Sequence, residues 1–184
     1  ERLSTLNQLD SAFGMHPDMS KVPGADMSTG SLGLGICAAV GMAIAGKLDK
    51  KSWRVYSLLG DGECHEGVVW EAAMAANHHR LDNLVAIVDR NGLSMDGPTE
   101  EVMTLEPFRA KWEAFGWGVR TINGHNMREI VDALGAAPFV PGRPSMVIAR
   151  TTKGKGISFI ENRWDCHYAR FNPEQGECAR KELA

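Results

Sequence analysis

Residues 60–97, GDGECHEGVVWEAAMAANHHRLDNLVAIVDRNGLSMDG, decide how this chain folds. They follow an apolar run, VYSLL at 55–59, that stops at Gly60-Asp61-Gly62. A short continuous apolar run bounded by turn residues reads as a buried strand of the kind found in parallel sheets. Residues 66–78 carry a helical pattern, with Val69, Ala72, Ala73 and Ala76 as its apolar stripe. A second apolar strand, residues 84–88, ends on Asp89-Arg90-Asn91-Gly92. The result is one strand–helix–strand unit, with a right-handed crossover expected.

Two parallel strands joined by a helix put their carboxyl ends on one edge of the sheet, where ligands bind in open α/β folds. Asp61 stands at the end of the first strand and Asn91, thirty residues later, at the end of the second. A carboxylate and a carboxamide oxygen side by side are hard ligands suited to Mg²⁺ or Ca²⁺. Mg²⁺ takes one or two carboxylates and completes its octahedron with phosphate oxygens and water. Gly60 and Gly62, flanking Asp61, allow a diphosphate to approach the backbone near the first turn of the following helix. The expected site is a metal-bridged diphosphate.

Composition narrows the class. At 184 residues the chain is long enough for one domain with a real core. Its 43% apolar and 23% charged content is ordinary for a globular protein. A net charge of −3 argues against a general binder of nucleic acid or anionic membranes. No apolar run approaches the ~20 residues that span a bilayer. No signal-peptide pattern opens the chain, whose first residue is Glu1, and a cytoplasmic location is expected. Cys37, Cys64, Cys166 and Cys178 form no CxxC pair and read as reduced thiols. Cys64-His65 and Cys166-His167 match no common zinc spacing.

Outside the central unit, residues 1–15 read as helical up to a break at Gly14, and residues 16–24 as a loop. A helix is expected to run to about Lys47, capped by Ser28 or Thr29, with Leu34, Cys37, Ala38, Gly41, Met42 and Ala45 as a small-residue stripe. Residues 98–101 read as an acidic loop, 106–115 as a helix with Phe108, Trp112 and Phe115 inward, and 117–122 as a strand. Asn126, with Glu129 three residues on, caps a helix that Pro138 stops. His125 is assigned to the turn before it. The last strand, 145–151, leads into TKGKG at 152–156, a basic glycine loop able to meet an anion by charge and by backbone N–H groups. The tail, 171–184, is polar and reads as peripheral.

GDG followed about thirty residues later by NG is the thiamine-diphosphate motif, and this version resembles the transketolase family. The resemblance runs from about His16 to His167 through HPD at 16–18, STGSLG at 28–33, EG at 66–67, WEA at 70–72, NGLSMDG at 91–97 and TKGKG at 152–156. It implies an α/β fold of the diphosphate-binding type: a three-layer, mostly parallel sheet with helices on both faces, one domain over 1–184. It implies thiamine diphosphate and Mg²⁺ (or Ca²⁺) as cofactors, the metal held by Asp61, Asn91 and the Leu93 carbonyl. Gly30 and Leu32 would meet the aminopyrimidine ring through the backbone, and Gly62, Asn91, Lys153 and His167 would also contact the cofactor. His16 and His167, the latter fourteen residues after Lys153, would hold substrate hydroxyls and move protons. Glu66 reads either as a carboxylate complementing the helix dipole or, by resemblance, as part of a carboxylate network between two cofactors. One departure is local: Tyr168 stands where the family has glycine after this histidine, which narrows the space there.

The resemblance also implies what lies elsewhere. The family's pyrimidine-binding domain, with its activating glutamate, is not in this sequence, nor is the family's amino-terminal segment with a glycine-flanked histidine. The chain therefore reads as the diphosphate-binding half of a split transketolase, paired with a C-terminal subunit in an α₂β₂ assembly. The expected reaction transfers a two-carbon ketol unit from a ketose phosphate or sulfonate to an aldose through a dihydroxyethyl intermediate. Deoxyxylulose-phosphate synthase and keto-acid dehydrogenase E1 share GDG…N, but the HPD, GSLG and NGLSMDG runs favour transketolase. A catalytically silent subunit would have no physical need of Asp61, Asn91 and His167. A Mg²⁺-nucleotide binder would need a GxxxxGK[ST] loop, which is missing.

Overall fold

The computed structural model describes residues 2–184. Four strands, β1 (Val55–Gly60), β2 (Leu84–Arg90), β3 (Gly118–Asn123) and β4 (Ser145–Arg150), form one sheet in the order β1-β2-β4-β3. Every pairing is parallel. Six α-helices accompany them among the described residues: α1 (Leu34–Leu48), α2 (Gly67–His78), α3 (Thr99–Val102), α4 (Phe108–Ala114), α5 (Met127–Gly135) and α6 (Pro173–Glu182).

The sheet is two strand–helix–strand units set back to back. β1–α2–β2 steps along the sheet in one direction and β3–α5–β4 in the other. Crossovers of the same hand that step in opposite directions place their helices on opposite faces. The packing agrees. One core gathers Ile36, Ala39 and Ala43 of α1, Val69, Ala73 and Ala76 of α2, and Phe108 and Trp112 of α4. A smaller core on the other face joins Val85 and Val147 to Ala133 and Ala137 at α5. The three layers and two-sided helix cover expected from the sequence are present, and the sheet is wholly parallel.

Cover on the second face stops short of β1. Tyr56 and Leu58 are 51% and 72% exposed, while Leu59 on the opposite face of the same strand is buried. β1 is also an edge strand. Among the described residues no helix is long and apolar enough to cross a membrane, and all four cysteines are free.

Several local expectations are corrected. The helix expected over 1–15 is absent from the described residues 2–15, residue 1 lying outside them; a single 3-10 turn, Arg2–Thr5, precedes turns in which Asn7 and Asp10 take positive φ, a conformation no helix continues through. α1 is not capped by Ser28 or Thr29. Its N-cap is Gly33 at φ 79°, and the Ser28 hydroxyl instead accepts a hydrogen bond from the Met19 N–H. Glycine is required at 33: besides the positive φ, a Cβ there would lie 2.5 Å from Val68 Cγ1. The acidic stretch at 98–101 is not a loop but enters α3, and the polar tail forms α6, started by an Asn172–Gln175 capping box. The Asn126 cap is as expected, its side chain accepting from the Arg128 and Glu129 N–H groups.

Trp112 shares with Trp117 the place of largest fully buried side chain among the described residues, and it packs its ring against Trp70, Phe108 and Trp117. Its Nε1 has no hydrogen-bond partner. Trp112→Ala should therefore cost about 3–5 kcal/mol of stability. Trp112→Phe should cost much less, since it removes an unpaired donor along with some volume. Urea unfolding of the two variants measures the difference.

Candidate active site

Parallel pairing brings the ends of β1, β2 and β4 to one rim. Gly60 lies in register with Asp89, and Arg90 with Arg150. The direction of winding reverses across the β2–β4 seam, the position at which open α/β sheets bind ligands.

Asp61 follows β1 directly and is buried. Its Oδ1 accepts from the Gly62 N–H at 2.8 Å. Its Oδ2 accepts from the Gly92 N–H at 2.6 Å and from Arg90 Nη1 at 3.0 Å. The acid closing the first strand thus grips the loop that leaves the second, beside Asn91. Asn91 Oδ1 accepts from the Leu93 N–H at 2.9 Å, and its Nδ2 donates to Asp89 Oδ1 at 3.3 Å. The 91–99 loop folds onto itself through Ser94 N–H to Gly97 O and Thr99 N–H to Gly92 O. It also lies close over Gly62, where a Cβ would meet Ser94 Cβ at 3.1 Å.

Arg90 ties this rim to the next stretch of chain. Besides Asp61 it donates to Thr99 Oγ1, Glu100 Oε1 and Glu106 Oε1, and its guanidinium lies 5.5 Å from the Phe108 ring centroid. Burial works against its charge, but the bonds to Asp61 and Glu106, the Asp61 charge and the bond to Glu100 outweigh that and hold its pKa above the ordinary value. The Phe108 N–H holds the Glu106 carboxyl below its usual range, with Arg90 adding to the effect. For Glu100 burial opposes ionisation, and the Glu106 and Leu105 N–H groups with Arg90 overcome it.

Glu63 joins the rim to α1. Its Oε2 accepts from the Gly60 N–H at 3.1 Å and its Oε1 from the Gly33 N–H at 2.8 Å. The 30–33 turn is held in this way, with Leu32 exposed at its tip. Gly30, at φ 149°, packs on His16: a Cβ there would lie 3.0 Å from His16 Cγ and Cδ2. Glu66 is exposed at the N-cap of α2 and makes no side-chain cap bond.

At the far end of the rim Thr151 Oγ1 donates a hydrogen bond to Asp89 Oδ1, the oxygen that also takes Asn91. The next residue is held from the β3–α5 turn: the Thr152 N–H donates to His125 Nε2 at 2.8 Å. Lys153 Nζ then meets His167 Nδ1 at 3.1 Å. Burial, and secondarily the Lys153 charge, pushes the His167 pKa down. α6 braces the loop from below, Glu182 accepting from both the N–H and the hydroxyl of Ser158.

The structure therefore sets Asp61 beside the Asn91–Gly92 peptide, Lys153 on His167 and His16 on Gly30. Among the described residues no hydrogen bond links His16 to His167, and no three His, Cys, Asp or Glu side chains converge on a metal position. A divalent cation nevertheless suits the donors. A carboxylate offers about four lone-pair positions, of which Asp61 uses three, leaving one on Oδ1. Asn91 Oδ1 likewise has a second lone pair. Two hard protein oxygens on a rim floored by close-packed glycine fit an ion that draws its other ligands from phosphate and water.

The family described as "Transketolase, thiamine diphosphate binding domain" matches residues 1–184. The chain belongs to this family. Among transketolase-domain relatives, a 6-deoxy-6-sulfo-D-fructose transketolase subunit of a Clostridium species is 46% identical over 183 residues, all of this chain and 66% of its own length. An apulose-4-phosphate transketolase subunit of Phocaeicola vulgatus is 45% identical over 184 residues, again all of this chain and 65% of its own length. The chain thus spans a little under two thirds of these curated relatives. The crystal structure of Campylobacter jejuni transketolase superposes with a TM-score of 0.91 at 34% identity, covering 98% of this chain and 29% of that one.

Three residues that position this transketolase-type rim escape a reading of the sequence. Arg90 and Glu63 sit next to motif residues, where a charged side chain reads as solvated unless its partner is known. His125 reads as a turn residue, and nothing local marks it as the acceptor for a backbone N–H from the loop after β4.

The Arg90 cluster gives a stability prediction. Arg90→Met should cost about 3 kcal/mol, the low end for breaking a buried pair, because two N–H groups still face Asp61. Glu106 has a folded-state pKa below its unfolded one, so its contribution is complete above the unfolded value of 4.5 and is lost as pH falls through the lowered folded value. The stability gap between the protein and its Glu106→Gln variant should be full at pH 6–7 and close at acid pH, as read by urea titrations across that range.

Proposed function

We propose that this chain is the diphosphate-binding subunit of a split transketolase. In this reading residues 1–184 form one domain, and a separate chain carries the pyrimidine-binding domain and its activating glutamate. The two would assemble as an α₂β₂ heterotetramer in the cytoplasm. The observation that carries the proposal is Asp61 clamped onto the Gly92 N–H, which sets a carboxylate and a carboxamide at adjoining strand ends. The two subunit-named relatives, matched over this chain's whole length, support the same reading.

Thiamine diphosphate, when bound, supplies the electron sink that lets a ketose lose a two-carbon ketol unit to an aldose. The chain's own residues bind and orient. Asp61, Asn91 and the Leu93 carbonyl would hold Mg²⁺, with Ca²⁺ as the alternative, and Gly62 keeps the floor low enough for a diphosphate. Gly30 and Leu32 would present backbone groups to the aminopyrimidine, in a turn fixed by Glu63. Lys153 brings positive charge and His167 an uncharged imidazole to the opposite end. His16, stacked on Gly30, and His167 would hold substrate hydroxyls, and a neutral imidazole can take or give a proton there. The names of the two relatives point to a ketose bearing a sulfonate or phosphate as the substrate class.

Calorimetry with thiamine diphosphate and Mg²⁺, on this chain alone and with its co-purified partner, is the decisive measurement. The pair should bind much more tightly than the chain by itself, and equal affinity would sink the split-enzyme reading. Asp61→Asn, which keeps the shape and avoids stranding Arg90, should weaken Mg²⁺-dependent binding at least about tenfold, the effect of losing roughly 1.4 kcal/mol. Undiminished binding would remove the metal assignment.

A further inference from the structure

The contact between Lys153 and His167 does more than place two functional groups near each other. An ammonium has three donors and no lone pair, so the 3.1 Å approach of Lys153 Nζ to His167 Nδ1 requires Nδ1 to accept. A ring that accepts at Nδ1 is uncharged and carries its proton on Nε2. We propose, resting on the reading above, that Lys153 is a positioning residue that holds the His167 imidazole neutral, with Nδ1 as acceptor and Nε2–H turned outward as the donor to a substrate hydroxyl. Protonation of Nδ1 and the lysine contact exclude each other, so the ring gains a proton only by letting go of Lys153. The ammonium keeps two further donors for an anion, and binding a diphosphate does not require surrendering the ring.

The surroundings leave Lys153 as the charged group that acts on this imidazole. On the same loop Lys155 is paired with Glu161. On the segment of His167 itself, Asp165 is bound to Arg163, and Tyr168 meets the ring edge-on at 5.0 Å between centroids. Cys166 is the neighbouring titratable side chain, and its Sγ approaches Asp165. From the β3–α5 turn His125 is engaged by the Thr152 N–H. The lysine is itself well held, since its loop is fixed on one side by Thr151 on Asp89 and Thr152 on His125, and on the other by the Asn162 N–H donating to the Lys153 carbonyl. The downward push on the His167 pKa from burial and from Lys153 agrees with this arrangement.

The test is the ¹⁵N spectrum of selectively labelled histidine in the full protein, titrated with pH, for the parent, Lys153→Met and Lys153→Arg. In the parent, His167 should show the Nε2–H tautomer and titrate below the ordinary histidine value. In Lys153→Met its midpoint should move up and the Nδ1 signal should lose its hydrogen-bonded position. Lys153→Arg, which keeps a cation and donors on a stem of similar length, should restore both. In the assembled enzyme the acid limb of kcat/KM should move with the His167 midpoint in Lys153→Met, a change that simple loosening of the loop would not produce. An unchanged His167 midpoint and tautomer in Lys153→Met would overturn the inference even in an active transketolase. The spectral shifts in a protein without ketol transfer would leave the inference standing and remove the functional reading instead.

Discussion

A buried carboxylate that accepts three hydrogen bonds is the constraint on which the rest of the rim depends. Asp61 has too little exposure for water to satisfy it, so its partners must come from the protein. They are the Gly62 N–H, the Gly92 N–H and the Arg90 guanidinium. Since Gly92 and Arg90 lie on the far side of a strand–helix–strand unit, satisfying one acid fixes the heights of two strand ends relative to each other. Asn91 lies between Arg90 and Gly92, and its position follows from theirs.

The same economy recurs around the rim. Asp89 Oδ1 takes both Asn91 and Thr151, joining the ends of β2 and β4. Glu63 takes the N–H groups of Gly60 and Gly33, joining the end of β1 to the entry of α1. Three acids, each spanning two elements, turn separate loops into one continuous ledge. The apolar cores beneath set the spacing of the strands, and these carboxylates set the register of what stands on them.

What is legible in the sequence follows the range of the interactions involved. β1, α2 and β2 are readable because buried strands and a helix stripe leave period signals within a dozen residues, and Val69, Ala72, Ala73 and Ala76 are all buried as their spacing implies. Asp61 and Asn91 are readable because strand ends in a parallel sheet share an edge. The α1 cap is misjudged because a side chain thirty residues away, Glu63, takes the place of a local cap at Gly33. The tail looks peripheral because its polarity hides the fact that Glu182 reaches the loop after β4. Arg90 and His125 act through partners that no local pattern encodes.

The two ends of the ledge rest on different supports. Asp61 and Asn91 stand over the large core built from α1 and α2, whereas the loop that carries Lys153, the partner of His167, is braced by the β3–α5 turn and by α6. In the proposed function that division would separate anchoring from reading. On that reading, substitutions around Tyr168 or in the terminal helix would remodel what the far end admits while the near end kept its grip. A scaffold split in this manner can change its clientele by drift at one margin, with no need to rebuild the foundation at the other.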